Sequence, residues 1–216
     1  MDFAAARIKM VDNQVRTTDV TDARILRALL SVPRETFVPE ARRSLAYIDD
    51  DLSLGEGRFL MEASPFARLL QLAGIGAGDR VLVIGCGSGY SAAVVAQLAA
   101  DVVVVESSSS LAQAARDGLA QSAVSNCTVI EGPLTDGHAA GAPYDVVFVE
   151  GAVDVVPAGL FKQLAESGRL IVVEGLGNAG FAVAYLNEEG VISRRTAFNC
   201  SVKPLPGFAQ PRAFSF

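Results

Sequence analysis

Residues 81–90 read VLVIGCGSGY, and this stretch decides the fold of the chain. Its first half is a continuous apolar run, which is typical of a parallel strand buried on both faces. Its second half places glycine at alternate positions, Gly85, Gly87 and Gly89. A glycine-rich turn of this kind lets a ligand approach the backbone where the strand ends. The pattern therefore predicts a ligand site at the carboxyl end of this strand.

The next apolar run, residues 102–105, ends in Glu106. This acid follows Gly85 by about 20 residues, a spacing at which a carboxylate on the neighbouring strand accepts hydrogen bonds from both hydroxyls of a ribose. The two strand ends together predict a nucleoside-bearing cofactor between them. The residues expected to contact this cofactor are Gly85, Cys86, Gly87, Ser88 and Gly89 in the turn, and Glu106 and Ser107 at the second strand end.

Strands and helices alternate from residue 79 onward and predict an α/β fold with a Rossmann-like, doubly wound, mostly parallel sheet. Such βαβ units have right-handed crossovers and place helices on both faces of the sheet. The alternation then stops, and two final segments flank a turn at residues 187–190, which predicts an antiparallel hairpin. The predicted strands are residues 81–85, 102–106, 127–131, 145–150, 169–174, 181–186 and 191–200, and the helices between them are 91–99, 111–123 and 158–166.

The first third of the chain has a different pattern. Apolar residues recur there at helical spacing, and Asp19 or Thr21 is expected to cap the second helix. We expect a single domain, residues 1–216, made of an N-terminal cap and a cofactor-binding core. The expected parts are helices within residues 1–45, a long surface loop at 47–59 and a helix at 64–73, giving a cap over 1–75 and a core over 76–216.

Composition limits the class of protein. The chain has 216 residues and a net charge of −6, with acidic and basic residues interspersed, which argues against a general electrostatic nucleic-acid binder. Three widely spaced cysteines predict reduced thiols in a cytoplasmic protein, without a disulfide framework or a zinc site. There is no apolar run of about 20 residues and no signal peptide, so no membrane partner is expected. The sequence leaves open whether the chain forms a homodimer.

Three interpretations of the glycine turn remain open. It is a turn without a ligand, or a dinucleotide site for NAD, or a site for S-adenosylmethionine. The dinucleotide fingerprint G-x-G-x-x-G places its third glycine where this chain has Tyr90, one residue after Gly89. S-adenosylmethionine has no pyrophosphate to bind, and the predicted C-terminal hairpin favours this third interpretation.

Six segments spread over most of the chain carry a resemblance to a known family. They are MVDNQV at 10–15, SVPRETFVP at 31–39, AYIDDDLSLGEG at 46–57, AGDRVLVIGCGSGY at 77–90, APYDVVFV at 142–149 and SGRLIVV at 167–173. In these segments the chain resembles the protein-L-isoaspartate O-methyltransferases, a family of class I S-adenosylmethionine-dependent methyltransferases, and VPRE-FVP is specific to that family. The resemblance implies S-adenosylmethionine as cofactor, a carboxylate acceptor and a role in protein repair.

The chain departs from the family on the acceptor side. The family loop reads close to GQTISQP, and its threonine and serine face the isoaspartyl carboxylate and the transferred methyl group. Phe59 and Met61 hold these two positions here, and neither side chain can donate a hydrogen bond. Arg58 can bind a carboxylate bidentately, or it is a solvated loop charge. We assign the acceptor side to Arg58 and to Met61, at the position of the family serine.

The chain also departs on the cofactor side. Val83 stands where the family has an acid, and the family's Gly-Asp-Gly after the third strand is here Gly132-Pro133-Leu134. The aspartate that would hold the adenine amino group is therefore missing. The cofactor is still expected to contact Gly132, Pro133 and Glu150, which follow strands at the cofactor edge of the sheet.

Two functions follow. The first is a carboxyl O-methyltransferase whose acceptor, a protein or a small molecule, is altered from that of the family. The alternative is a catalytically inactive binding or regulatory protein with the methyltransferase fold. No metal site is expected, because His138 is the single histidine and the contiguous acids at residues 49–51 do not converge on one centre.

Overall fold

The computed structural model describes residues 1–210, so residues 211–216 of the expected core lie outside the described part. Its elements follow the predicted order. The helices are α1 (Phe3–Met10), α2 (Ala23–Ser31), α3 (Ala63–Ala73), α4 (Tyr90–Ala96), α5 (Ser109–Gln121) and α6 (Ala158–Phe161). The strands are β1 (Leu52–Gly55), β2 (Arg58–Leu60), β3 (Arg80–Ile84), β4 (Asp101–Glu106), β5 (Cys127–Glu131), β6 (Tyr144–Val153), β7 (Leu164–Glu174), β8 (Phe181–Glu188) and β9 (Val191–Asn199).

Seven strands form one sheet in the order β5-β4-β3-β6-β7-β8-β9. Strands β3 to β7 pair in parallel, whereas β8 and β9 are antiparallel, as the sequence predicts. The order of the strands reverses at β3, which lies between β4 and β6. In open α/β sheets a ligand binds in the crevice at such a reversal, outside the carboxyl ends of the strands. The topology therefore places the glycine turn at the expected binding edge.

The central strands of the sheet, β3, β4 and β6, are buried on both faces. Val81 and Val83 of β3 belong to one hydrophobic cluster, together with α2, α3 and α4. Leu82 and Ile84 belong to a second cluster on the other face, together with α6. Because a strand directs successive side chains to opposite faces, a continuous apolar run is what burial on both faces requires.

The N-terminal region is helical, as predicted, but its capping residue differs. Asp22 caps α2, and its Oδ1 accepts a hydrogen bond from the N–H of Arg24 at 2.8 Å. The predicted caps Asp19 and Thr21 are wrong: Asp19 has a left-handed φ of 63° and ends the preceding 3₁₀ turn. The region also contains a π-helical turn at Val11–Val15 and short 3₁₀ segments at Arg16–Thr18, Arg34–Phe37 and Glu40–Leu45.

The loop predicted for residues 47–59 is wrong in its second half, where β1 and β2 form an antiparallel hairpin. The buried Arg34 fastens the two ends of this segment. Its Nε donates to the carbonyl of Ala46 and its Nη2 to the carbonyl of Met61, both at 2.7 Å. The helix predicted for residues 158–166 ends at Phe161, because the chain enters β7 at Leu164.

No helix among residues 1–210 is long and apolar enough to cross a membrane. The division of the chain at residue 75 stays a prediction.

Candidate active site

The glycine turn joins β3 to α4, and each of its glycines has a positive φ. The angles are 82° for Gly85, 56° for Gly87 and 97° for Gly89, a region that side chains disfavour. A Cβ atom on Gly89 would also lie 3.0 Å from Cα of Ala115 in α5. The turn therefore depends on glycine both for its conformation and for close packing beneath it.

Glu106 ends β4 and directs its carboxylate into the turn. The residue is fully buried. Its Oε2 accepts a hydrogen bond from the N–H of Gly87 at 2.9 Å. Its Oε1 accepts from the N–H groups of Ser107 and Ser108, at 2.8 and 3.1 Å. Backbone donors thus fix the carboxylate at the carboxyl end of the sheet rather than in solvent.

Arg58 reaches the same carboxylate from the start of β2. Its Nη1 lies 2.6 Å from Oε1 and 2.9 Å from Oε2 of Glu106, and its Nη2 donates to the carbonyl of Gly85 at 2.6 Å. The side chain is only 4% exposed. The interpretation of Arg58 as a solvated loop charge is therefore wrong. Its observed partner is a carboxylate of the protein itself.

Two leucines complete the filling of the hollow. A Cβ atom on Gly87 would lie 2.7 Å from Cδ1 of Leu54, and one on Gly85 would lie 2.7 Å from Cδ1 of Leu205. Leu54 belongs to β1, and Leu205 follows a short bridge between Ala152 and Pro204. Neither contact can be predicted from the sequence, because both leucines come from segments distant from the turn.

A small cavity of about 10 Å³ remains beside Arg58, which is about the space of one water molecule. None of the described residues that line it carries a hydroxyl group. Its ionisable groups are Asp51, Arg58, Glu150 and Lys203, and its other lining side chains include Phe59 and Met61.

Lys203 and Asp51 lie close to each other in the lining of this cavity. The Lys203 ammonium lies 5.6 Å from the ring centroid of Phe59 and 4.0 Å from Oδ2 of Asp51. Burial raises the pKa of Asp51, although the N–H of Glu62 and the charge of Lys203 act in the opposite direction. The surface loop expected at residues 47–59 is thus correct at Asp50, which is exposed, but wrong at Asp51, which is largely buried.

Glu150 lies in β6 on the other side of the cavity and is buried. Its carboxyl group accepts a hydrogen bond from the hydroxyl of Ser91 in α4. Burial raises the pKa of Glu150 to about 8, against the opposing effects of Ser91 and the Arg58 charge. The carboxyl is therefore mostly protonated at neutral pH.

The other predicted cofactor residues lie around this centre with different orientations. Cys86 is buried, and burial raises the pKa of its thiol well above the usual range, so it is an inert filler. The Ser88 hydroxyl donates to the carbonyl of Phe37, on the N-terminal cap. Gly132 donates its N–H to the carbonyl of Glu106 at 3.1 Å, and Pro133 follows it at the exposed edge of the site.

The polar groups of this site suit the sugar of a nucleoside cofactor. The Glu106 carboxylate and the Gly85 carbonyl are hydrogen-bond acceptors that face one hollow, and the glycines place no side chain in it. The hollow itself is filled by Arg58, Leu54 and Leu205. These hydrogen-bond acceptors therefore fit the cofactor, but in this structure the Arg58 guanidinium occupies both of them. No cluster of three or more metal-ligating side chains occurs in the described part of the chain.

Comparisons with known proteins point to one family over most of the chain. The family model for protein-L-isoaspartate(D-aspartate) O-methyltransferase (PCMT) matches residues 5–205. The protein-L-isoaspartate O-methyltransferase of Koribacter versatilis is 36% identical over 205 residues, which are 95% of this chain and 92% of the relative. That of Roseiflexus sp. is 39% identical over 206 residues, covering 95% and 93% of the two chains.

Solved structures are similar along most of the chain. A protein-L-isoaspartate O-methyltransferase superposes with a TM-score of 0.80 at 28% identity, covering 93% of this chain and 66% of the other. A putative protein-L-isoaspartate O-methyltransferase from Plasmodium falciparum, solved with S-adenosyl-L-homocysteine, superposes with a TM-score of 0.78, covering 95% and 98% of the two chains. At 17% identity the second similarity shows the fold alone.

Proposed function

The chain belongs to the protein-L-isoaspartate O-methyltransferase family, whose members are S-adenosylmethionine-dependent enzymes. We propose that it methylates a substrate carboxylate that is bound by cationic side chains of the protein. In this proposal Arg58 and Lys203 replace the threonine and serine of the family pattern as donors. The observation that supports it is the composition of the acceptor cavity, whose described lining residues include the cations Arg58 and Lys203 beside the acids Asp51 and Glu150, and no serine, threonine or tyrosine.

S-adenosylmethionine, when bound, supplies an activated methyl group that passes to a carboxylate oxygen and leaves S-adenosylhomocysteine. The residues that would hold it are Glu106, for the ribose hydroxyls, and the glycine turn with Gly85 and Gly87. The family assignment supports this choice over NAD.

Methylation of a carboxylate demands little acid–base catalysis. A carboxylate is already ionised at neutral pH, so no residue has to remove a proton from it. The protein must instead align the carboxylate oxygen with the methyl group and exclude water. Phe59 and Met61 supply apolar walls to the acceptor cavity, which at about 10 Å³ must widen before a carboxylate can enter.

The acceptor carboxylate loses its hydration when it enters this cavity. Burial of a charge is unfavourable unless it is paired and hydrogen-bonded. A guanidinium is a suitable partner because it donates two parallel hydrogen bonds to a carboxylate. Lys203 is half-exposed and provides a second positive charge at the mouth of the cavity.

Transfer of a radiolabelled methyl group to matched peptides tests this function. One peptide contains isoaspartate, a second contains aspartate at the same position, and small dicarboxylates extend the panel. We expect transfer to a carboxylate in this panel and a KM that rises about tenfold or more in Lys203→Gln, because one charge-assisted contact is lost.

The matched control is Lys162→Gln, which removes a lysine next to α6, outside the cavity lining. We expect its KM to equal that of the unmodified chain. The double variant Phe59→Thr, Met61→Ser restores the family hydroxyls and should raise transfer to the isoaspartyl peptide. The proposal is wrong if Lys203→Gln leaves KM unchanged and the double variant has no effect.

A further inference from the structure

We propose that Arg58 is an internal competitor for the cofactor: cofactor binding displaces its guanidinium from Glu106, and the released guanidinium then binds the acceptor carboxylate. Binding would accordingly be ordered, with the cofactor first and the acceptor second. The acceptor half of this inference rests on the proposed function, whereas the competition at Glu106 rests only on the contacts of Arg58.

The carboxylate of Glu106 has no capacity left while Arg58 is bound. A carboxylate offers about four lone-pair sites. The N–H groups of Gly87, Ser107 and Ser108 take part of this capacity, and Nη1 of Arg58 contacts both oxygens. The backbone donors are fixed parts of the turn and of the β4–α5 connection. The guanidinium is therefore the one of these donors that can leave, and its departure frees an acceptor position on Oε2, where the one remaining backbone donor is Gly87, for a ribose hydroxyl.

The guanidinium also occupies a second hydrogen-bond acceptor, the Gly85 carbonyl, and the space above the turn. Its Nη2 uses the carbonyl of Gly85, and an added Cβ on Gly85 would lie 2.8 Å from that nitrogen. Leu54 lies against Gly87 from the same hairpin. One segment thus covers Gly87 and the Glu106 carboxylate, so its displacement opens this part of the cofactor site, while Leu205 remains against Gly85.

The hairpin is built so that its tip can move while its base stays in place. Arg34 holds the base through the carbonyl of Met61. The tip, residues 55–57, is exposed, and Glu56 accepts a hydrogen bond from the exposed Ser110 hydroxyl at 2.8 Å. A surface contact of this kind contributes little to stability. Arg58 lies between this tip and the fixed base.

The released guanidinium has a destination within reach of its own side chain. Arg58 already lines the acceptor cavity together with Met61 and Lys203. It would exchange one carboxylate, that of Glu106, for another, that of the acceptor. The guanidinium is therefore paired before the cofactor binds and again after the acceptor binds; with the cofactor alone it would lie in a cavity whose lining includes the Asp51 carboxylate.

Calorimetric titration with S-adenosylhomocysteine tests the competition directly, without any need for turnover. We expect Arg58→Gln to bind this ligand about 10- to 100-fold more tightly than the unmodified chain, because the closed population that reduces apparent affinity is lost. The matched control is Arg42→Gln. Arg42 donates to the carbonyl of Ser53 in the same hairpin at 2.6 Å but lies outside the cavity lining, so the Kd should not change.

A second, more conservative variant keeps the test valid if Arg58→Gln does not fold. Arg58→Lys keeps a cation beside Glu106 but lacks the planar fork, so it should bind S-adenosylhomocysteine several-fold more tightly than the unmodified chain. Equal or weaker binding by both Arg58 variants would overturn the competition. Equal binding by Arg42→Gln and Arg58→Gln, both tighter than the unmodified chain, would also overturn it, because the effect would then belong to the hairpin in general.

The KM for the acceptor tests separately whether Arg58 binds the acceptor carboxylate. Arg58→Gln should raise the KM for the acceptor about tenfold or more while it lowers the Kd for S-adenosylhomocysteine. Tighter cofactor binding with no methyl transfer to any carboxylate would reject the proposed function and leave the competition intact. Unchanged cofactor binding together with normal methyl transfer would reject the competition and leave the function intact.

Discussion

The guanidinium of Arg58 contacts both carboxylate oxygens of Glu106, at 2.6 and 2.9 Å, across 48 residues of sequence. Both side chains are buried. A buried ion pair loses hydration on both sides and often adds little net stability compared with apolar residues of the same size. Its position on the acceptors of a cofactor site therefore points to control of that site rather than to stabilisation of the fold.

Removal of one partner of this pair should destabilise the protein. Arg58→Gln leaves the Glu106 carboxylate buried with only its backbone donors, so the free energy of unfolding should fall by about 2–4 kcal/mol. Urea unfolding measures this change. The double variant Arg58→Gln, Glu106→Gln removes both charges and should recover most of the loss. Equal losses in the single and double variants would contradict the pairing.

The Glu106 carboxylate should contribute to cofactor affinity once Arg58 is absent. In the Arg58→Gln background, Glu106→Gln replaces charge-assisted hydrogen bonds to the ribose by neutral ones. The Kd for S-adenosylhomocysteine should rise about 10- to 100-fold. Calorimetry compares the single and double variants. An unchanged Kd would place the ribose away from Glu106.

Glu150 should make stability depend on pH. Its pKa is raised to about 8 in the folded protein, above the ordinary value of 4.5, so the folded state retains a proton that the unfolded state releases. The stabilisation is complete below pH 4.5 and is lost as the pH rises toward about 8. Urea unfolding at pH 5 and pH 8 should therefore show a loss of about a few kcal/mol in the unmodified chain.

The isosteric variant Glu150→Gln is the control for this titration. Its amide does not ionise, so its free energy of unfolding should vary less between the two pH values. If the variant and the unmodified chain lose stability in parallel, the titrating group is another residue.

Gly89→Ala should destabilise the turn. The residue has a φ of 97°, and the new Cβ would lie 3.0 Å from the backbone of Ala115. We expect a cost of about 2–3 kcal/mol, seen as a lower Tm. The matched control is Gly159→Ala in α6, where a Cβ meets no atom within 4 Å, and its Tm should be equal or slightly higher. A similar Tm for both variants would contradict the argument.

The sheet could be predicted from sequence because its strands carry their own signal. β3 and β4 are apolar runs that need no knowledge of their neighbours, and the polar turn between β8 and β9 marks a hairpin. The hairpin of β1 and β2 could not be predicted, because its strands carry little sequence signal of their own. These strands have only four and three residues in an Asp- and Gly-rich segment, and they are stabilised by contacts with distant parts of the chain.

The site was predictable in its parts but not in their contacts. Glu106 and the glycines follow from strand ends and spacing, which are local. The pairing of Arg58 with Glu106 depends on how the hairpin packs over β4, and the filling of the hollow by Leu205 depends on the path of the chain after β9. Side-chain pairs of this kind are set by tertiary packing, which spacing along the sequence does not encode.

A crystal structure of the unmodified chain with S-adenosylhomocysteine tests the central claim most directly. The account predicts that a ribose hydroxyl lies within hydrogen-bond distance of the Glu106 carboxylate. It also predicts that the Arg58 guanidinium has moved into the cavity beside Met61. A structure in which Arg58 still pairs with Glu106 while the ligand is bound elsewhere would contradict it.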